Sequence, residues 1–474
     1  MGCSPETSLR PQARPRDFGA RAGPRPDGLI EAARLGGRVS YAVVDVASGR
    51  VLESREGGLG QPPASVTKVI TALYALDVLG PEHRFETRLL AAGPLRDGVI
   101  DGDLILAGGG DPSLDTDALA EMAARLKSAG VHEVRGAFRV WSGAQPYQRV
   151  IDPSQPAHVS YNPSISGLNL NYNRVHFEWK QAGTGYTVTM DARSARYRPE
   201  VRVARITVAP RDLPVYTYAD RGDHDAWTVA RGALGEGGSR WLPVRRPAAY
   251  TAEVFATFAR THGIELTPGP PLDQPPAGQV LVTWKSPTLS DILHGMLKYS
   301  NNLTAELVGM AATARRRGQP APLAVSAREM SYWAQDRLRM PGARLVDHSG
   351  LGEASRLGAM GLARAMALTH SEGRLKPLLK DFPMRDGDGT PVPGHPVMVA
   401  AKTGTLYFVS SLAGYVSAPG SPELAFAIFA ANSQLREGYD RTSGERPPGA
   451  YGWNQRAKEL QQGLIERWAR IYGS

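Results

Sequence analysis

The chain has 474 residues, enough for two or more domains or one domain with a large insertion. With 42% hydrophobic and 21% charged residues it can bury a core and is not wholly disordered, and no run of about 18 apolar residues occurs, so no integral membrane segment is expected. The formal net charge of +9 suits an anionic polymer or is plain composition. The densest basic run, Arg315-Arg316-Arg317, reads as a solvated helix end, and no RNA-binding or zinc-finger signature points to nucleic acid. The single cysteine, Cys3, excludes an intrachain disulfide and a multi-cysteine zinc site.

In chain order, Met1 to Asp27 is rich in Pro, Arg and Gly and reads as a disordered tail or processed leader remnant. It lacks the apolar stretch of a signal peptide, so either the protein is cytoplasmic or its true start lies upstream. Arg38 to Ser54 reads as a β-hairpin turning at Ala47-Ser48-Gly49-Arg50. Pro62-Pro63 then breaks regular structure before an apolar helix running to about Gly80. From about Arg84 the texture is of short strands: Phe85–Leu90, Gly102–Ala107, Val134–Trp141, Val175–Trp179, Tyr186–Met190, Val201–Val208 and Ala226–Ala230. Helices are expected at Asp117–Ala129 and Ala249–His262, with Tyr147–Asn173 loop-like and Pro268–Pro276 a linker. The glycines of Gly108-Gly109-Gly110 lack a phosphate-binding context and read as a turn. Long helices resume at Leu289–Lys298, Thr304–Ala314, Pro322–Leu338 and Gly358–Ser371. Strands follow at Val397–Ala401, Phe408–Val416 and Ala425–Ala431, and Asn454–Tyr472 closes the chain as an amphipathic helix. The N-terminal hairpin and the last strands would share one antiparallel sheet flanked by helices. This is an α+β domain of residues 28–85 and 282–474, interrupted by a large, mostly β insertion at 86–281.

Three short motifs stand in this frame: Ser65-Val66-Thr67-Lys68 at a helix start, Ser300-Asn301-Asn302 between two helices, and Lys402-Thr403-Gly404 on a strand. Ser65 and Lys68 are one turn apart and share a face. Alone, the first motif reads first as an ordinary buried helix with a capping serine and a snorkelling lysine. Together the three resemble the S-x-x-K, S-D-N and K-T-G set of penicillin-binding proteins and class A β-lactamases. The roles follow from chemical need. Ser65 attacks an acyl carbon, and Lys68, held partly neutral by burial and a second cation, takes its proton. Ser300 relays a proton to the leaving amine. Asn302 offers its amide to the substrate backbone or to Lys68. Lys402 and Thr403 receive a substrate carboxylate, and Lys402 helps depress the pKa of Lys68. Gly404 allows close approach. The N–H groups of Ser65 and Thr405 form the oxyanion hole.

Further stretches sharpen the resemblance. They are Ser286-Pro287-Thr288-Leu289-Ser290 through Glu306; Leu104 to Gly108 with Gly110-Asp111-Pro112 and Leu114; Ser166, Leu168-Asn169, Asn171 and Asn173; and Asp347 with Ser349-Gly350-Leu351. These resemble the D-alanyl-D-alanine carboxypeptidase/endopeptidase family, the class C low-molecular-mass penicillin-binding proteins, over about residues 35–470. The long insertion between the first and second motifs is typical of that family and not of β-lactamases. Two positions depart from it: Asn301 stands where Asp is common, and His348 replaces a glycine and reads as a surface histidine. The resemblance implies a penicillin-binding/serine β-lactamase-like transpeptidase fold. It implies a periplasmic enzyme that cleaves peptidoglycan stem peptides or cross-links through an acyl-enzyme, is acylated by β-lactams and needs no metal or organic cofactor. Alternatives are a serine β-lactamase or esterase on the same fold, and a non-catalytic murein-binding or penicillin-sensing protein. Intact Ser65, Lys68, Ser300, Asn302 and Lys402 weigh against the last.

Overall fold

The computed structural model of the chain describes residues 25–386, 389–439 and 447–472. The expected tail lies outside the described residues up to residue 24. Helix α1 (Pro26–Ala33) begins inside its last part, with proline in the first turn, where a missing N–H is no loss. Strands β1 (Arg38–Asp45) and β2 (Val51–Arg55) form the hairpin, and a 3-10 turn at Ala64–Val66 leads into α2 (Thr67–Leu79). Helix α2 is buried from Thr67 to Leu76 on all sides, which explains why its sequence is apolar all round.

The next stretch holds β3 (Glu86–Ala91), β4 (Leu104–Gly108), α3 (Thr116–Ser128) and β5 (Phe138–Trp141). After an irregular excursion come β6 (Arg174–Ala182), β7 (Gly185–Asp191), β8 (Ala204–Ala209), β9 (Tyr216–Asp220), β10 (Asp225–Ala230) and β11 (Gly237–Pro243). Helix α4 (Pro247–Thr261) and β12 (Gln279–Lys285) complete it. Strands β9 and β11 are not apparent from the sequence. Gly237-Gly238-Ser239 carries no strand pattern, and β11 exists because it pairs along β6, from Gly237↔Lys180 to Pro243↔Arg174. Strands β3 and β12 lie side by side, Glu86 opposite Lys285, in a sheet of order β12-β3-β4-β5. One core gathers residues from Leu89 to Val282.

Then come α5 (Leu289–Tyr299), α6 (Asn302–Arg317), α7 (Leu323–Arg337), α8 (Ala359–Thr369), β13 (Lys380–Asp381), β14 (Met398–Leu406), β15 (Val409–Ser417), β16 (Leu424–Ala431) and α9 (Ala450–Tyr472). A six-stranded sheet of order β13-β14-β15-β16-β1-β2 joins the two ends of the chain, antiparallel throughout. Both faces are covered. Ala42, Val44, Ala427 and Phe429 pack toward α2 and α5 to α8. Their neighbours Tyr41, Val43, Phe426 and Ile428 pack toward Trp453, Leu464 and Trp468 of α9. The middle strands are therefore buried on both sides and read as near-continuous apolar runs. No helix among the described residues is long and apolar enough to cross a membrane.

Candidate active site

Ser65 sits in the 3-10 turn, half-buried, just before α2. Ala64 beside it has φ of 46°, a left-handed conformation costly for a residue with a Cβ. Two glycines clasp this turn. A Cβ on Gly350 (φ 78°) would overlap the Ala64 carbonyl and come within 2.6 Å of Thr67 Oγ1. A Cβ on Gly404 would meet Pro63 O at 2.7 Å and Ser65 N at 3.0 Å. The close approach permitted by Gly404 is thus to the turn bearing Ser65. Ser411, opposite Gly404 on β15, adds a hydrogen bond to Pro62 O at 3.3 Å.

Lys68 is wholly buried. Its Nζ lies 3.1 Å from Ser65 Oγ, 2.7 Å from Asn302 Oδ1 and 2.8 Å from Ser349 O. Two of these partners are carbonyl oxygens that can only accept. A neutral amine has two N–H groups and one lone pair, so satisfying both carbonyls leaves the lone pair for the serine hydroxyl. Burial pushes the pKa of Lys68 down to about 7, and the positive charge of Lys402 pushes the same way. Glu306 and Asp347 oppose them.

The second motif bridges α5 and α6. Ser300 ends α5 with φ of 58°, and Asn301 caps α6 by accepting Thr304 N at 3.0 Å. Asn302 faces Lys68 with its oxygen and gives its Nδ2 to the Tyr161 carbonyl at 2.8 Å. On β14, Lys402 is buried and donates to Thr403 O at 2.7 Å, while Thr403 and Thr405 are exposed. Burial and neighbouring Lys380 push the pKa of Lys402 down to about 8. Ser65, Ser300, Asn302 and Thr405 line one cavity of about 450 Å³, together with Tyr161 and Tyr407. Ser300, Lys402, Thr403 and Thr405 also border an adjoining groove of about 900 Å³. All the residues singled out in the three motifs therefore converge on one cleft.

Three features of the cleft were not foreseen. His348 is not at the surface: it is fully buried, with Nε2 2.7 Å from Ser326 Oγ. Two carboxylates, Glu306 and Asp347, are buried behind Lys68. Both residues belong to stretches that carried the family resemblance, and Glu306 is also marked by its spacing, one helical turn after Asn302, but their burial was not foreseen. The third is the main-chain carbonyl of Tyr161, which no side-chain pattern announces.

Residues 27–445 match the model of the D-Ala-D-Ala carboxypeptidase 3 (S13) family. The D-alanyl-D-alanine carboxypeptidase of Actinomadura sp. (strain R39) is 29% identical over 439 residues, 85% of this chain and 79% of that protein. The D-alanyl-D-alanine carboxypeptidase DacB of Haemophilus influenzae is 26% identical over 425 residues, 83% of this chain and 85% of that one. The crystal structure of penicillin binding protein 4 (dacB) from Haemophilus influenzae shares the fold, with a TM-score of 0.73 at 21% identity over 92% of this chain and 99% of that chain. The same protein complexed with a β-lactam matches with a TM-score of 0.73. The chain therefore belongs to the D-Ala-D-Ala carboxypeptidase 3 (S13) family and is a serine-type carboxypeptidase of the penicillin-binding fold.

Proposed function

We propose that Ser65 is the nucleophile and Lys68 its base in cleaving the terminal D-alanyl bond of peptidoglycan stem peptides and D-alanyl cross-links. The observation that carries this reading is the placing of Lys68, whose two N–H groups have acceptors in Asn302 and Ser349 while Ser65 Oγ lies 3.1 Å away. In acylation the Ser65 oxygen bonds to the D-alanyl carbonyl carbon as Lys68 takes its proton. The N–H groups of Ser65 and Thr405 hold the oxyanion, and removal of one such donor typically costs on the order of a hundredfold. The C–N bond then breaks, and Ser300 passes the proton from Lys68 to the leaving amine. Water resolves the ester, with Lys68 again as base.

Lys402 and Thr403 receive the carboxylate of the leaving residue. The adjoining groove of about 900 Å³ carries Lys380, Arg385 and Lys458 and leaves room there for more than one alanine, which supports cross-link cleavage as well. Murein is anionic and exported, so the basic net charge and this substrate argue for a periplasmic enzyme. Residues 28–85 with 286–474 form the catalytic unit and 86–285 the insertion, the boundary moving from the expected 281 because β12 pairs with β3 as far as Lys285.

Labelling with a fluorescent penicillin, read by intact mass, tests the reading. Wild type takes one adduct and Ser65→Ala takes none. Folded wild-type protein without an adduct overturns it, and rapid turnover of a chromogenic cephalosporin would favour a β-lactamase.

A further inference from the structure

Glu306 lies on α6 four residues beyond Asn302, so both side chains leave the same face. Its buried carboxylate uses one oxygen for each of two consecutive main-chain N–H groups. Oε2 accepts from His348 N at 2.8 Å and Oε1 from Ser349 N at 3.0 Å. The carbonyl of that same Ser349 accepts from Lys68 Nζ. The stretch is also held from its other side. Thr71 Oγ1 donates to His348 O at 2.6 Å, and the imidazole sits in space that only Gly309 leaves, where a Cβ would overlap the ring. Asp347 fixes the far side of the loop by accepting from Gly350 N at 2.7 Å and Gly352 N at 2.5 Å.

We propose that Glu306 is a positioning residue for the acylation base. It clamps the His348–Ser349 main chain so that the Ser349 carbonyl holds one N–H of a neutral Lys68 and turns the lone pair on Ser65. The proposal rests on the reading of Lys68 as the base.

Burial and neighbouring Asp347 push the carboxyl of Glu306 up to about 8, against the pull of its two N–H donors and of Lys68, so its part near neutral pH is the geometry of the clamp and not a fixed charge. Glu306 from α6 and Asp347 from the loop favour the ammonium form of Lys68, and Lys402 from β14 disfavours it. Asp152 faces Asp347, and Lys380 from β13 faces Lys402. The imidazole of His348 adds no charge at neutral pH, since burial pushes its pKa down to about 3. Loss of the clamp slows acylation at every pH. It acts on the acylation step and leaves the affinity for the penicillin that precedes it unchanged. A merely structural glutamate would not slow that step selectively in folded protein.

The test is the acylation rate by a fluorescent penicillin as a function of its concentration and of pH, for wild type, Glu306→Gln and Thr71→Val, each with its melting temperature. Glu306→Gln keeps the shape, but its amide NH₂ must face one of the two N–H groups. We expect its plateau rate to fall on the order of 10- to 100-fold, the cost of misplacing a reacting group by a fraction of an ångström to an ångström. The penicillin concentration that half-saturates it stays near wild type. Thr71→Val removes a hydrogen bond to the same peptide from its other side, so it slows the same step. Folded Glu306→Gln with the wild-type plateau overturns the clamp. If that variant does not fold, Thr71→Val at the wild-type rate overturns it. Wild type that takes no label overturns the reading of Ser65 and Lys68 along with it, whereas a labelled wild type with an unaltered variant overturns only the clamp.

Discussion

Lys68 in the catalytic cleft and Arg245 in the inserted region are both cations removed from water, at 0% and 4% exposure, and burial has opposite consequences for them. Arg245 donates to three main-chain carbonyls, from Nη1 to Arg149 O at 3.0 Å and Asn162 O at 2.8 Å, and from Nη2 to Ala157 O at 2.8 Å. Burial pushes its pKa down only to about 10, with Asp225 opposing, so it stays charged at neutral pH. The same desolvation brings Lys68 to about 7. A guanidinium begins so high that burial leaves a permanent cross-link, while an ammonium is brought to the point of giving up its proton. The two are also connected. Arg245 ties down the backbone on both sides of Tyr161, whose carbonyl takes the Asn302 amide that faces Lys68. Gln155, Pro156, Val159 and Tyr161 thereby form one wall of the cleft.

Exchanging the two kinds of cation tests the contrast most severely. Lys68→Arg keeps a buried positive charge but provides no base, so acylation should fall by about 10²- to 10⁴-fold, the usual worth of a positioned general base. Penicillin labelling over time measures it, and a near-normal rate would break the comparison. Arg245→Met leaves the carbonyls of Arg149, Ala157 and Asn162 without their donor. It should cost a few kcal/mol in urea unfolding, about 1–3 kcal/mol for each buried acceptor left without a donor. Acylation by the protein that remains folded should drop much less than for Lys68→Arg, because Asn302 loses only firmness in one partner.

The contrast also explains what was legible in the sequence. The helices from Leu289 to Leu338 follow from apolar periodicity and come out close to expectation, whereas in the large sheet β14 runs on to Leu406 beyond the expected Ala401 and β13 was not expected. Ser65, Lys68, Ser300, Asn302, Lys402, Thr403 and Gly404 were singled out from three motifs far apart in the chain, because each proposed role needs its own side chain, or the lack of one, and the fold brings them together; Thr405, proposed for its main-chain N–H, could be named only because it follows the third motif. What escaped works through the main chain: the carbonyls of Ser349 and Tyr161 could belong to any residue type. His348 escaped for a different reason. Whether a histidine is inside depends on its neighbours, and the space for this one is made by Gly309 on another element. Strand β11 escaped because its partner, not its composition, makes it a strand.

A smaller effect is the pH profile of the wild-type enzyme. Lys68 acts only when deprotonated, so acylation should rise as pH passes through about 7. Lys402 attracts a carboxylate only while protonated, so the rate should decline above about 8. The result is a narrow bell. Lys380→Ala sharpens the assignment. Lys380 disfavours the charged form of Lys402, so removing it should move only the alkaline limb, toward higher pH. A shift of the acid limb instead would mean that the two lysines have been given each other's roles.

The smallest effect expected is that of Asn301→Asp. Asn301 accepts Thr304 N at 3.0 Å as the cap of α6, and aspartate caps a helix about equally well. Its charge at the helix start adds at most about 0.3–1 kcal/mol. Thermal unfolding should therefore be unchanged or slightly later, and the penicillin-labelling rate should stay close to wild type. The middle residue of the second motif is held by the helix rather than by the chemistry, which is why Asn can stand where Asp is common. A large loss of acylation in Asn301→Asp would place that side chain in the reaction after all and leave Asn302 as only part of the motif's contribution.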